Sequence, residues 1–206
     1  MEPTICKTPT IYDTGAGGGL PDGYVTIEGE KYPYKKIGGR IWTIENFRNI
    51  NHLSFNTNYD SSDTTAYVYP IGTSGNTTSG NFSGFLYNFA AVKTIIAQYN
   101  LNGFRIPNVA DFENLKNIEN KFLKSFRTWQ NEMGTDDTLF CAIATGYANA
   151  GQLKNLGKTT DFWAADENDD NTKMATNYWF GLDQQYIVKE TNGYLNGFCL
   201  RLCKDL

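Results

Sequence analysis

The sequence predicts an α+β fold on three observations. A Gly-Gly pair separates two β-like runs near the start, two stretches with helical apolar spacing occupy the middle, and short alternating segments fill the last third. Tyr32 to Ile37 and Arg40 to Glu45 flank Gly38-Gly39, a dipeptide suited to the positive φ of a tight turn. A β-hairpin is expected there, with Ile41, Trp42 and Ile44 as core candidates. From Ser54 to Gly84 the chain is dominated by Asn, Ser, Thr and Gly, with Ala66-Tyr67-Val68-Tyr69 the one strand-like interruption, and reads as a long irregular surface excursion. Asn76-Thr77-Thr78 and Asn81-Phe82-Ser83 match the glycosylation acceptor pattern, which in a chain without an export signal reads as chance.

Leu86, Phe89, Ala90, Val92, Ile96 and Tyr99 recur at close to helical spacing, which predicts a first helix over about Tyr87 to Tyr99. The second is better marked. Asn108 can cap the first turn, Asp111 sits where negative charge suits the helix dipole, and Phe112, Leu115, Ile118 and Phe122 form one apolar stripe. That helix is expected to begin after Pro107 and run past Phe122. Strand-like pieces follow at Leu139 to Thr145, Asn177 to Leu182, Gln185 to Glu190 and Gly197 to Lys204, separated by Gly, Asn and Asp turns, which makes an antiparallel sheet. In the terminal strand, period-2 alternation assigns Phe198, Leu200 and Leu202 to the core and Cys199, Arg201 and Cys203 to the opposite face.

Two hundred and six residues fit one domain with a tail. Residues 1–21 are short on large apolar side chains and end in a glycine stretch, so they read as a flexible or docking N-terminal tail, with the globular domain over 22–206. A hydrophobic content of 40% with 15% aromatics excludes a disordered chain, and no apolar run approaches the roughly 18 residues a membrane span needs, so membrane insertion is not expected. Charged residues make up only 19%, and 22 Asn and 22 Thr supply a neutral, amide-rich surface instead. With a net charge of -4 and no basic cluster longer than Lys35-Lys36, nucleic acid is a poor partner. His52 is the single histidine, which excludes His-rich metal sites and catalysis centred on any other histidine.

The start, Met1 to Lys7, lacks the basic and apolar stretches of a secretory signal. Cys6, Cys141, Cys199 and Cys203 are too few and too unevenly placed for a disulfide framework. Cys199 and Cys203 are separated along a strand by about 13 Å, against the roughly 4.4–6.8 Å a disulfide needs between Cα atoms, so all four are expected to be free.

Several segments, in order, resemble the Fibrobacter succinogenes major paralogous domain, a family common in Bacteroidetes surface proteins and related to the C-type-lectin-like fold. They are Tyr34 to Arg48, Leu86 to Val92, Gly103 to Asn108, Phe140 to Tyr147, Asn155 to Gly157, Phe162 to Glu167, and Asn196 to Phe198 with Arg201. The resemblance covers roughly residues 32 to 205 and implies a C-type-lectin-like fold with two helices, antiparallel sheets and long irregular loops. Family members often carry a Cys before the second helix and another in the terminal strand, plausibly bonded to each other; here those positions are Asn100 and Leu202. Their joint absence fits a chain folded in a reducing cytoplasm, such as a phage virion protein, better than a secreted lipoprotein.

The related fold also hosts formylglycine-generating oxidases, but no Cys lies between Cys141 and Cys199 where their cysteine pair would sit, so no enzymatic activity is expected. Asp166-Glu167-Asn168-Asp169-Asp170-Asn171 offers hard oxygen ligands, with Asp166, Asn168 and Asp170 as calcium candidates. The run lacks the central Gly and terminal Glu of an EF-hand loop and reads first as a solvated turn, so no cofactor is expected. Trp179 alternates away from Tyr178, Phe180 and Leu182; it suits stacking on a sugar, anchoring a partner, or packing in an opposite layer. Trp42 and Trp163 read as core. Asp166, Glu167, Asn168, Asp170, Asn177, Trp179 and Gln185 form the expected contact set, on loops between 161 and 196.

The function expected from these readings is a binding module and adhesin displayed on a phage particle, such as a phage tail, or on a bacterial surface. It recognises a cell-surface glycan or protein receptor, and residues 1–21 contact other virion or surface-assembly proteins. The alternative is a structural virion or fimbrial component without a separate ligand.

Overall fold

The computed structural model describes residues 19–56, 65–69, 71, 84–126, 128–130, 134–169 and 171–206. The chain folds as a β-rich α+β domain, built on the pairing that the Gly38-Gly39 turn starts. Strands β1 (Gly23–Ile27), β2 (Glu30–Ile37) and β3 (Arg40–Thr43) form an antiparallel meander, with both turn glycines at positive φ (56° and 80°) and Ile37 opposite Arg40. Trp42 and Ile44 are buried as expected, whereas Ile41 is half-buried.

Short strands β4 (Ser54–Phe55), β5 (Tyr67–Tyr69) and β6 (Leu86–Tyr87) form a second sheet, in which β4 and β5 run parallel. Tyr67, Val68 and Tyr69 are each at most 2% exposed, which corrects the reading of Ser54 to Gly84 as a surface excursion throughout. The acceptor sites at Asn76 and Asn81, residues 1–18 of the tail, and Cys6 lie outside the described residues.

Helix α1 (Phe89–Gln98) runs where the apolar spacing placed it, with Asn88 accepting a hydrogen bond from the Ala91 amide at its start. The second helical stretch is different. Asn108 and Asp111 form a reciprocal capping box at α2 (Val109–Glu113), but the helix ends there and resumes only at α3 (Asn120–Leu123). Between them the backbone closes i to i+3 bonds, Leu115 to Phe112 and Ile118 to Leu115, and Asn120 turns its amide to the Gln185 carbonyl at 2.7 Å. That break rotates the stripe: Leu123, not Phe122, is buried.

Leu139 to Thr145 is buried but forms no ladder, because Leu139 and Cys141 take positive φ (59° and 52°). Its contacts are single bridges such as Lys124 with Ala142. After the hairpin β7 (Tyr147–Asn149) and β8 (Gln152–Lys154), the chain builds a third sheet, ordered β11-β10-β9, from β9 (Thr159–Asp169), β10 (Met174–Gly181) and β11 (Val188–Gly193). The acidic run expected as a turn therefore begins as the end of an eleven-residue strand, and most of 161–196 is sheet rather than loop. Tyr178 and Phe180 enter the core, where Tyr178 stacks on Phe112 at 4.6 Å between ring centroids and Phe180 on Phe140 at 5.8 Å.

Residues 197–204 stitch these pieces together. Gly197 bridges Ala148, Phe198 bridges Tyr87, Cys199 bridges Phe162, and β12 (Cys203–Lys204) pairs with β3 to complete the first sheet. Phe198, Leu200 and Leu202 pack into one apolar cluster as the alternation requires, while Cys199 and Cys203 face a second cluster rather than water. Arg201 is fully buried. Its guanidinium donates to the Asn46 side chain at 2.7 Å and to the carbonyls of Thr43 (2.8 Å), Ile44 and Cys141 (2.8 Å), so the buried charge sits among oxygen dipoles. Asn100 is exposed and Leu202 buried, and Cys141, Cys199 and Cys203 are free and buried.

Candidate functional site

A face of the third sheet and the β7-β8 hairpin enclose a cavity of about 310 Å³, at the lower end of the roughly 300–1,000 Å³ range of ligand pockets. Antiparallel pairing puts Trp179 opposite Asp161 and Val188, and Asn177 opposite Trp163 and Glu190, so these side chains share one face of the sheet. Thr159 and Asp161 from β9, Trp179 from β10, and Glu190 and Asn192 from β11 line the cavity; Tyr147, Asn149, Asn155 and Phe198 close it.

A single file of hydrogen bonds runs through this lining, every donor pointing the same way. Lys154 Nζ donates to Asn149 Oδ1 (3.0 Å), Asn149 Nδ2 to Asn196 Oδ1 (2.6 Å), and Asn196 Nδ2 to Asn192 Oδ1 (3.2 Å). Asn192 Nδ2 then donates to Asn177 Oδ1 (2.9 Å), and Asn177 Nδ2 to Asp161 Oδ1 (3.0 Å). An ammonium thus stands at one end and a carboxyl at the other, each amide polarised by its neighbour. Burial pushes the Asp161 carboxyl well above the usual carboxylate range, and the charge of Glu190 adds to this, while the Asn177 bond opposes it.

Among the described residues, four buried side-chain polar atoms have no hydrogen-bond partner, and two of them, Thr159 Oγ1 and Trp179 Nε1, belong to residues of this lining. Such atoms are uncommon in folded proteins and call for a partner. The Trp179 indole is half-buried and lies over Gly181, where an added Cβ would come within 2.3 Å of the ring, so glycine there is what lets the ring lie flat along the strand. Trp163, by contrast, is fully buried and donates its Nε1 to the Tyr87 carbonyl at 2.7 Å, as a core residue.

The expected contact residues do not gather in one place. Trp179 lines the cavity and the fully buried Asn177 lies beneath it, bonded to two lining residues. Asp166 instead accepts the Val109 amide at 2.6 Å, fastening β9 to the start of α2. Glu167 pairs with Lys93 at 2.7 Å and accepts from the Tyr194 hydroxyl, and Asn168 bridges Thr191 and Thr176. Gln185 is exposed, beside a smaller hollow of about 240 Å³ with Glu119 and Lys121, which pair with each other at 2.9 Å. Asp170 lies outside the described residues. Of the calcium candidates, Asp166 and Asn168 are each engaged in separate hydrogen bonds, and among the described residues no group of His, Cys, Asp and Glu is placed to hold a metal ion. Asp161, Asn192 and Asn149 were not among the expected residues. Asp161 is the residue the alternation of β9 would have found, had Thr159 to Asp169 been read as a strand.

No curated protein and no solved structure matches the chain. The model of the Fibrobacter succinogenes major domain matches residues 36–204, from the end of β2 to β12, and so takes in every side chain that lines the cavity. On that match the chain belongs to the Fibrobacter succinogenes major domain family.

Proposed function

We propose that the chain is a non-enzymatic carbohydrate-binding module, with the cavity over β9, β10 and β11 as its binding site. The observation that carries this is the meeting, in one cavity, of the Trp179 residue with the carboxamide residues Asn149, Asn155 and Asn192 and the carboxyl residues Asp161 and Glu190. A sugar ring presents an apolar face to an indole and hydroxyls to amides, and it satisfies donors and acceptors alike.

The sequential hairpin, helical stretches, three-stranded sheet and a terminal strand returning to β3 support a C-type-lectin-like reading of the core. Display on a phage particle or bacterial surface fits the neutral, amide-rich composition and the three free buried cysteines, with residues 1–21 docking into the larger assembly. Calcium has no part in the proposed site. Glycan-array binding of the full chain, with and without EDTA, tests this. Binding that resists EDTA and is lost in Trp179→Ala with the fold intact is the expected result; binding unaffected by the substitution would remove the cavity from consideration. The alternative, a structural virion or fimbrial component, draws on the outer edge of β11, which pairs with no other described strand. It predicts ordered assemblies and no glycan binding.

A further inference from the structure

We propose that the cavity is selective for an uncharged sugar ring, discriminating against uronates and phosphorylated sugars on one side and amino sugars on the other, an inference that rests on the carbohydrate reading above. Among the described residues the lining contains no Lys or Arg; Lys154 bonds to Asn149, at the far end of the amide file. An anionic ligand would meet the Glu190 charge with no lining cation among the described residues to offset it. An ammonium would fare better with Glu190 but has only donors. Standing where a hydroxyl would, it takes away the acceptor that hydroxyl offers to the amide N–H groups of the lining. Hydroxyls supply both.

The amide file favours the same class. Asn149 uses one N–H and one side of its carbonyl within the file, which leaves it a second N–H and a second lone pair, while Asn192 also donates to Glu190 Oε2 at 3.4 Å and keeps a second lone pair. Adjacent donor and acceptor on one planar group match a pair of neighbouring sugar hydroxyls. At the end of the file Asp161 accepts from Asn177 through Oδ1 alone. The titratable groups facing it are Glu190 on β11, Tyr147 on β7 and the Cys199 thiol behind it, and burial, with the Glu190 charge adding to it, raises its carboxyl above the usual carboxylate range.

The test uses the full chain against immobilised neutral polymers (dextran, mannan, arabinogalactan), uronates (polygalacturonate, alginate) and chitosan, with melting curves as the fold control. Wild type is expected to bind at least one neutral polymer about tenfold more tightly than any charged one, the worth of one unsatisfied polar group. Trp179→Phe, which keeps an aromatic ring and removes the N–H, should weaken that binding about fivefold or more at unchanged melting temperature. Preference for a uronate or for chitosan that still depends on Trp179 would overturn the uncharged-ring inference and leave the carbohydrate reading standing. Binding to no polymer, or binding indifferent to both Trp179→Phe and Trp179→Ala, would end the carbohydrate reading itself.

Discussion

Asn177 donates its side-chain amide to the buried carboxyl of Asp161 at 3.0 Å, joining β10 to β9 beneath the cavity. The bond is diagonal: the residues directly opposite are Trp163 for Asn177 and Trp179 for Asp161. Removing it leaves Asp161 without its donor and Asn192 without its acceptor. Asn177→Ala should therefore cost about 1–3 kcal/mol in urea denaturation, at unchanged m-value, because the Asp161 carboxyl stays buried. A loss below the error of the fit would mean that the file contributes nothing to stability.

Asp136 gives a pH signature. Burial pushes its carboxyl up to about 7, against the opposing pull of the Cys141 amide, which donates to it at 2.7 Å, and of the Arg201 charge. A raised folded-state value means that Asp136 favours the fold fully below the unfolded value, about 4, and that this contribution is lost as pH rises toward 7. Asp136→Asn removes the loss and keeps the acceptor for Cys141. The difference in melting temperature, variant minus wild type, should climb between about pH 4 and 7 and stay flat above, by roughly 2–4 °C for each kcal/mol. The depressed carboxyls, Asp111 beside Arg105 and Arg40 among them, act in the opposite sense but are common to both proteins and cancel. A difference independent of pH would contradict the assignment.

Arg201 reaches backbone carbonyls and a side chain from separate segments, at Thr43, Ile44, Asn46 and Cys141. A lysine keeps the charge but lacks the planar fork, and it strands some of these buried oxygens. Arg201→Lys is expected to lose about 2–4 kcal/mol, read by chemical denaturation. A variant as stable as the parent would show that charge alone suffices.

Since Cys141, Cys199 and Cys203 are free and buried, a thiol reductant should leave the melting temperature unchanged. A drop of several degrees would reveal a cross-link.

The parts legible from sequence were those governed by local chemistry. Gly38-Gly39 announced its hairpin, Asn88 and the apolar spacing behind it announced α1, and Asn108 with Asp111 announced the start of α2. The alternation of residues 197–203 was also legible, though not that both faces are buried, because alternation reports side-chain direction and not what lies beyond. Tertiary pairing decided the rest. Asn120 bonds to Gln185 and ends a helix whose stripe would have continued, while positive φ at Leu139 and Cys141 breaks a strand that composition favours. Of the site, Asn177 and Trp179 emerged from the alternation of β10, but Asp161 stayed hidden because the acidic end of β9 reads as a turn. Asp166, Glu167 and Asn168 were the right chemistry in the wrong employment: they fasten β9 to its neighbours.

The most direct test is the indole N–H of Trp179, one of four tryptophans. In an ¹⁵N-labelled protein, with the Trp179 cross-peak assigned by its disappearance in Trp179→Phe, a bound neutral polysaccharide fragment is added. If the cavity is the site, this cross-peak should move downfield as Nε1 gains an acceptor, while those of Trp129 and Trp163, already bonded to the carbonyls of Ala142 and Tyr87, should hold their positions. A fragment that binds and leaves the Trp179 cross-peak in place would contradict the account.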